Sequence, residues 1–168
     1  MKIDTEILNY FKKESEEVLA ELTVLVEKLE NARGEFPSAL LAEFSQKIDR
    51  IMGAAKTMSL EAPEHPGFQR IGRLAELCKV MGYKAVERKS APLVPIFAAF
   101  WGDTIEVTQN LVRAVEDLPK TEQIAKSFSA VLQKRLEWLL QKTDPQAAAK
   151  SHEAKAQEAQ ELLKSLGF

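Results

Sequence analysis

Apolar residues recur along most of this chain at steps of three and four, the period of helices that bury one face. The clearest run is Leu8, Phe11, Ser15, Val18, Leu22, Leu25 and Leu29, widened by Leu19 and Val26, with Glu14, Glu16, Glu17 and Glu21 opposite. Asp4 is placed to cap this first helix, and Gly34 can take the left-handed turn that stops it. A second helix is expected to open at Pro37-Ser38, with Ser38 as its cap, and to bury Leu41, Phe44, Ile48, Ile51, Ala55 and Met58. Pro63, Pro66 and Gly67 make the segment from Glu61 to Gly67 a loop. A third helix carries Phe68, Ile71, Leu74, Leu77, Cys78 and Met81 and should end between Gly82 and Lys89.

Ser90-Ala91-Pro92 reads as a cap followed by an early-turn proline. It opens a long fourth helix with one stripe of Leu93, Phe97, Phe100, Thr104, Val107, Leu111, Val115 and Leu118. Trp101, Ile105 and Val112 form a second stripe beside it. Leu118-Pro119-Lys120-Thr121 is expected to turn. A fifth helix follows with Ile124, Phe128, Val131, Leu132, Leu136, Leu139 and Leu140, and Trp101 and Trp138 are expected in the core.

From Thr143 to Gln157 no large apolar residue occurs, and Asp144-Pro145 breaks the helix because the residue before a proline avoids the α region. Ala159, Leu162, Leu163 and Leu166 then share one helical face, with Glu158, Glu161, Lys164 and Ser165 opposite. The expected architecture is all-α: an up-and-down bundle of four or five helices over 1–142, a solvated linker over 143–157 and a short amphipathic helix over 158–168. Such a helix after a linker suits a helix-in-groove ligand. The alternative is that it packs back on its own bundle.

Composition removes several function classes. The 168 residues fit one domain of ordinary size, and 23 Lys+Arg against 25 Asp+Glu leave a formal net charge of −2. The basic footprint of a nucleic-acid binder is absent. A single cysteine, Cys78, makes no internal disulfide and points to the reducing cytoplasm. Two histidines and one cysteine leave little for a zinc site. The early acidic residues Asp4 and Glu6 argue against a signal core, and no apolar run approaches the roughly 20 residues that span a bilayer. Secretion and membrane insertion are not expected.

The segment Glu161-Leu162-Leu163-Lys164-Ser165-Leu166-Gly167-Phe168 resembles the C-terminal peptide of CheZ-type chemotaxis phosphatases, in which an acidic residue, two leucines, a spacer and Ser-Leu-Gly-Phe close the chain. In that family the peptide binds a CheY-like receiver as a tethered helix. The resemblance implies Leu162, Leu163, Leu166 and Phe168 as receiver-binding residues.

The bundle resembles a histidine phosphotransfer (HPt) domain over its first helix, Phe44 to Ala55 and Phe68 to Cys78. That family carries His-x-x-Lys-Gly on its second helix, and here the aligned residues are Asp49-Arg50-Ile51-Met52-Gly53. The glycine matches; Asp49 replaces the histidine and Met52 the lysine. Without the imidazole no phosphohistidine forms at this position, and neither His65 in its proline loop nor His152 in the linker replaces it. Gln46, Asp49, Gly53 and Lys56 lie away from the apolar stripe. Glycine in a helix costs about 0.5–1 kcal/mol relative to alanine, which suits a face where a receiver docks on Asp49 and Gly53; the alternative is a solvated helix face.

CheZ-type phosphatases hold the attacking water with the amide of an Asp-x-x-x-Gln pair, while the acid meets the receiver's own lysine. The strict spacing is absent from this sequence. Its nearest equivalents are Glu106 with Gln109 and Glu106 with Asn110, since steps of three and four return to one helical face. Gly102 beside them would admit a partner, and Gln46 with Asp49 is the second choice. The alternative is an ordinary polar bundle face. The resemblance implies no cofactor of the chain's own, because the magnesium ion and the phosphorylated aspartate belong to the receiver. It also implies a homodimer, as in CheZ-type proteins, whereas HPt domains are usually monomers. Receiver dephosphorylation in chemotaxis or two-component signalling is the leading expectation. A non-enzymatic, HPt-derived adaptor that sequesters or localises a receiver is the alternative.

Overall fold

A computed structural model describes residues 3–144 and 152–165. Among them are α1 (Thr5–Glu30), α2 (Ser38–Glu61), α3 (Pro66–Arg88), α4 (Val94–Arg113), α5 (Leu118–Thr143) and α6 (His152–Ser165), with a 3-10 turn at Ala91–Leu93 and no strand. The protein is all-helical over the described residues.

The apolar stripes decide the packing. All nine core positions read for the first helix are buried in α1, and the six read for the second are buried in α2. α1 packs on α2 and α4, and α3 packs on the same two neighbours, so the four helices close a ring around one core. Ion pairs give the directions. Arg50 meets Glu14 and Lys47 meets Glu21, so α2 runs against α1. Arg113 lies near Glu16 while Gly102 lies near Val26, so α4 also runs against α1. At one end of the core Phe11 meets Phe68 edge to face at 5.3 Å. Toward the other, Trp101 lies 4.5 Å from Phe44 and 5.8 Å from Phe97 between ring centroids. Trp101 is fully buried. α5 lies outside the ring against α4, tied to α3 by Arg70 and Glu122 at 2.7 Å, and α6 packs on α5.

Several helix ends differ from expectation. Asp4 caps α1 through the amides of Glu6 and Ile7, but the helix stops at Asn31, and Gly34 takes its φ of +89° in the following loop. Ser38 is the first residue of α2 and makes no cap, because Pro37 occupies that position. His65 caps α3, so the loop narrows to 62–65. Leu118 opens α5 rather than closing α4: Asp117 caps α5 by accepting from Lys120, and Pro119 sits in the first turn, where its missing N–H has no cost. Val131 and Trp138 are exposed, against the core placement expected of them. A helix outside the ring covers only a narrow stripe, here Leu132, Leu136, Leu139 and Leu140.

The expected linker is shorter than 143–157. Thr143 is the buried last residue of α5, and α6 already begins at His152. The Ala, Gln, Glu and Lys residues of this stretch are strong helix formers, and Ala159 supplies a flat contact that needs no large side chain. Residues 145–151 lie outside the described residues. Among the described residues no helix is long and apolar enough to cross a membrane.

Candidate functional site

Gln109 and Asn110 open onto different grooves, because successive residues on an α-helix are turned by about 100°. Gln109 shares with Glu106 a groove of about 350 Å³ between α1 and α4, floored by Val26 and Ile105. Asn110 lines a second groove, between α4 and α5, with Ile124 and Phe128. Of the three α4 residues singled out from the sequence, the fold therefore brings Glu106 and Gln109 together and leaves Asn110 apart. A Cβ at Gly102 would sit 3.5 Å from Val26 Cγ1. The glycine thus faces α1 of its own bundle, where a partner's approach had been expected. Within the groove, Gln109 Nε2 donates to Thr23 Oγ1 at 3.4 Å, and Thr23 donates to the Leu19 carbonyl at 2.9 Å.

The second-choice pair lies on α2. Gln46, Asp49 and Gly53 are all exposed there. Asp49 Oδ1 accepts from Lys79 of α3 at 2.6 Å, and this hydrogen bond holds the Lys79 ammonium above the ordinary lysine range. Nothing lies within 4 Å of a Cβ built on Gly53, so its lack of a side chain serves no contact inside the chain. Beside this face a groove of about 360 Å³ runs between α2 and α3, lined by Phe36, Leu41, Tyr83 and Val86. Tyr83 and Val86 are exposed apolar residues that the periodicity did not single out, since they fall off the buried stripe of α3.

On α6 the apolar face is turned inward. Ala159 is fully buried, Leu163 is buried and Leu162 is half-buried. Gln133 of α5 donates to the Ala156 carbonyl at 3.1 Å, and a groove of about 440 Å³ remains between the two helices beside Leu163. Packing of the tail helix against its own bundle is therefore the arrangement seen. Leu166 and Phe168 lie outside the described residues.

Two further side chains bear on chemistry. His65 is buried, with both ring nitrogens engaged by backbone groups. Cys78 is buried, and burial pushes its thiol up to about 12, leaving negligible thiolate at neutral pH. Among the described residues no group of three or more His, Cys, Asp or Glu is placed to hold a metal ion. Compared with known families, curated proteins and solved structures, the chain finds no match in any of the three.

Proposed function

We propose that this chain binds a CheY-like response-regulator receiver and promotes loss of the receiver's phosphoryl group. The observation that carries the reading is the shared position of Glu106 and Gln109 in the α1–α4 groove, an acid and an amide one turn apart on a rigid helix. The resemblance of Glu161 to Phe168 to the receiver-binding peptide of CheZ-type phosphatases supports the choice of partner.

The chemistry asks little of the protein beyond position. Water attacks phosphorus, the P–O bond to the receiver's aspartyl carboxylate breaks, and the carboxylate leaves. Inorganic phosphate keeps the water oxygen, and a proton passes to solvent. Gln109 orients the water, and Glu106 meets the receiver's lysine. The magnesium ion stays with the receiver.

The adaptor reading draws on a different observation. At the HPt position stands Asp49, an acid already paired with Lys79 beside an apolar groove. That face offers a docking surface without a phosphoryl acceptor.

One assay separates the readings. A phosphorylated CheY-like receiver is mixed with the chain, and both binding and phosphate release are followed. Release faster than the receiver's own rate is expected. Gln109→Ala should lower that acceleration on the order of 100- to 1,000-fold, the scale of one lost positioning group, with binding retained. Binding with no acceleration establishes the adaptor, and absence of binding overturns both.

A further inference from the structure

We infer that Thr23 is a positioning residue for Gln109, fixing which end of its carboxamide faces the α1–α4 groove. The inference rests on the role given to Gln109 above and adds the element that orients it.

A hydroxyl has one hydrogen and two lone pairs. The Thr23 hydrogen is engaged, because Oγ1 lies 2.9 Å from the Leu19 carbonyl, which can only accept. What Thr23 offers Gln109 is therefore lone pairs alone. The amide NH2 end must face it, as the 3.4 Å contact from Nε2 has it, since the reverse orientation would set two acceptors against each other. Oε1 is thereby turned away from Thr23, on a side chain that lines the same groove as Glu106.

This choice of end matters to the reaction. A water that donates a hydrogen to Oε1 keeps a lone pair free for attack on phosphorus. A water held by Nε2 would still have one lone pair free, but accepting the N–H draws electron density from its oxygen and makes it a poorer nucleophile. Thr23 thus selects the productive orientation from two that are nearly alike in shape.

The backbone supports the contact. Val26 is one turn beyond Thr23 on α1, and Gly102 is two turns before Gln109 on α4. The Val26–Gly102 approach brings α1 and α4 close along the same groove, and the long Gln109 side chain spans the remaining distance to Thr23. Thr104 and Thr108 make the same bond to a carbonyl one turn back, but they are buried inside the bundle. Thr23 is exposed and meets an amide instead.

The test compares Thr23→Val, which keeps the shape and removes the hydroxyl, with Thr23→Ser, which keeps the hydroxyl. Phosphate release from a phosphorylated CheY-like receiver is measured across receiver concentrations, and the Gln109 side-chain amide resonances are followed by NMR without receiver. Thr23→Val should lower the maximal rate about tenfold, the scale of one ordinary hydrogen bond, at unchanged half-saturation. It should also shift the Gln109 amide resonances, and Thr23→Ser should restore both. Unmoved resonances in Thr23→Val overturn the inference whatever the rates do. Moved resonances with an unchanged rate also overturn it, provided Gln109→Ala is impaired. If Gln109→Ala is unimpaired, the catalytic reading of Gln109 fails instead, and the resonances alone decide the placement of Thr23.

Discussion

His65 Nε2 lies 2.6 Å from the carbonyl of Val115, joining the start of α3 to the turn that follows α4. The same ring accepts the Gly67 amide hydrogen at Nδ1, 3.0 Å away. The two contacts fix the tautomer, with the hydrogen on Nε2. The histidine is thus a structural clasp between chain segments 50 positions apart.

His65→Ala should destabilise the fold through two losses. The Val115 carbonyl is left without its donor at about 1–3 kcal/mol, and the cap of α3 goes at about 1 kcal/mol. Urea unfolding checks the sum; a change below about 1 kcal/mol would show that water replaces the ring at no cost. With both nitrogens engaged and the ring buried, no phosphohistidine should form at His65 during incubation with a phosphorylated receiver.

Gly53→Ala should stabilise the protein by about 0.5–1 kcal/mol. The added methyl meets nothing within 4 Å, and the helix loses its least favourable interior residue. Thermal melting gives the sign. A stabilised variant that binds receiver less well would place receiver docking on this face.

Leu163→Ala should cost less than about 2 kcal/mol, whereas Leu22→Ala in the ring core should cost about 2–5 kcal/mol. Leu22 is enclosed by the ring, while Leu163 sits beside a groove of about 440 Å³ that already lacks close packing. Equal losses in the two variants would mean that α6 belongs to the main core.

The hydrogen bond from Arg70 holds the Glu122 carboxyl below its ordinary value of 4.5. Its contribution is therefore full above that value and is lost as pH falls through the lowered one. The melting-temperature gap between the natural chain and Glu122→Gln should close as pH falls from 7 toward 3. A gap independent of pH would show that the pair does not hold α5 to α3.

Core positions in the ring helices were legible because each stripe answers one physical demand, the burial of one face. Leu8 to Leu29 and Leu41 to Met58 needed no knowledge of their neighbours. The ends of helices were less legible, since caps compete locally: Asp4 and Asp117 both present carboxylates to free amides, yet Ser38 loses its place to Pro37. Trp138 misled because apolar character alone does not say how many sides of a helix are covered. The early start of α6 was hidden because its first turns are built from helix-forming Ala, Gln, Glu and Lys, which leave no mark in a pattern of large apolar residues. The candidate site was half legible. Periodicity set Glu106, Gln109 and Asn110 on the polar side of α4, but only the neighbouring helices decide that Gln109 meets α1 and Asn110 meets α5. Thr23 carried no signal of its own, because its role exists only across the interface.

The inward turn of Ala159 and Leu163 makes α5 a competitor for whatever else takes that face. A receiver that grips the same leucines can do so only in molecules whose α6 has come off α5. Its apparent dissociation constant is then the intrinsic one divided by the released fraction. With about one molecule in a hundred released, binding is about a hundredfold weaker than for the free peptide. Substitutions on α5 that loosen α6 would tighten receiver capture without touching a single receiver contact. On the proposed reading of the tail, its seat on α5 would set the threshold at which it responds.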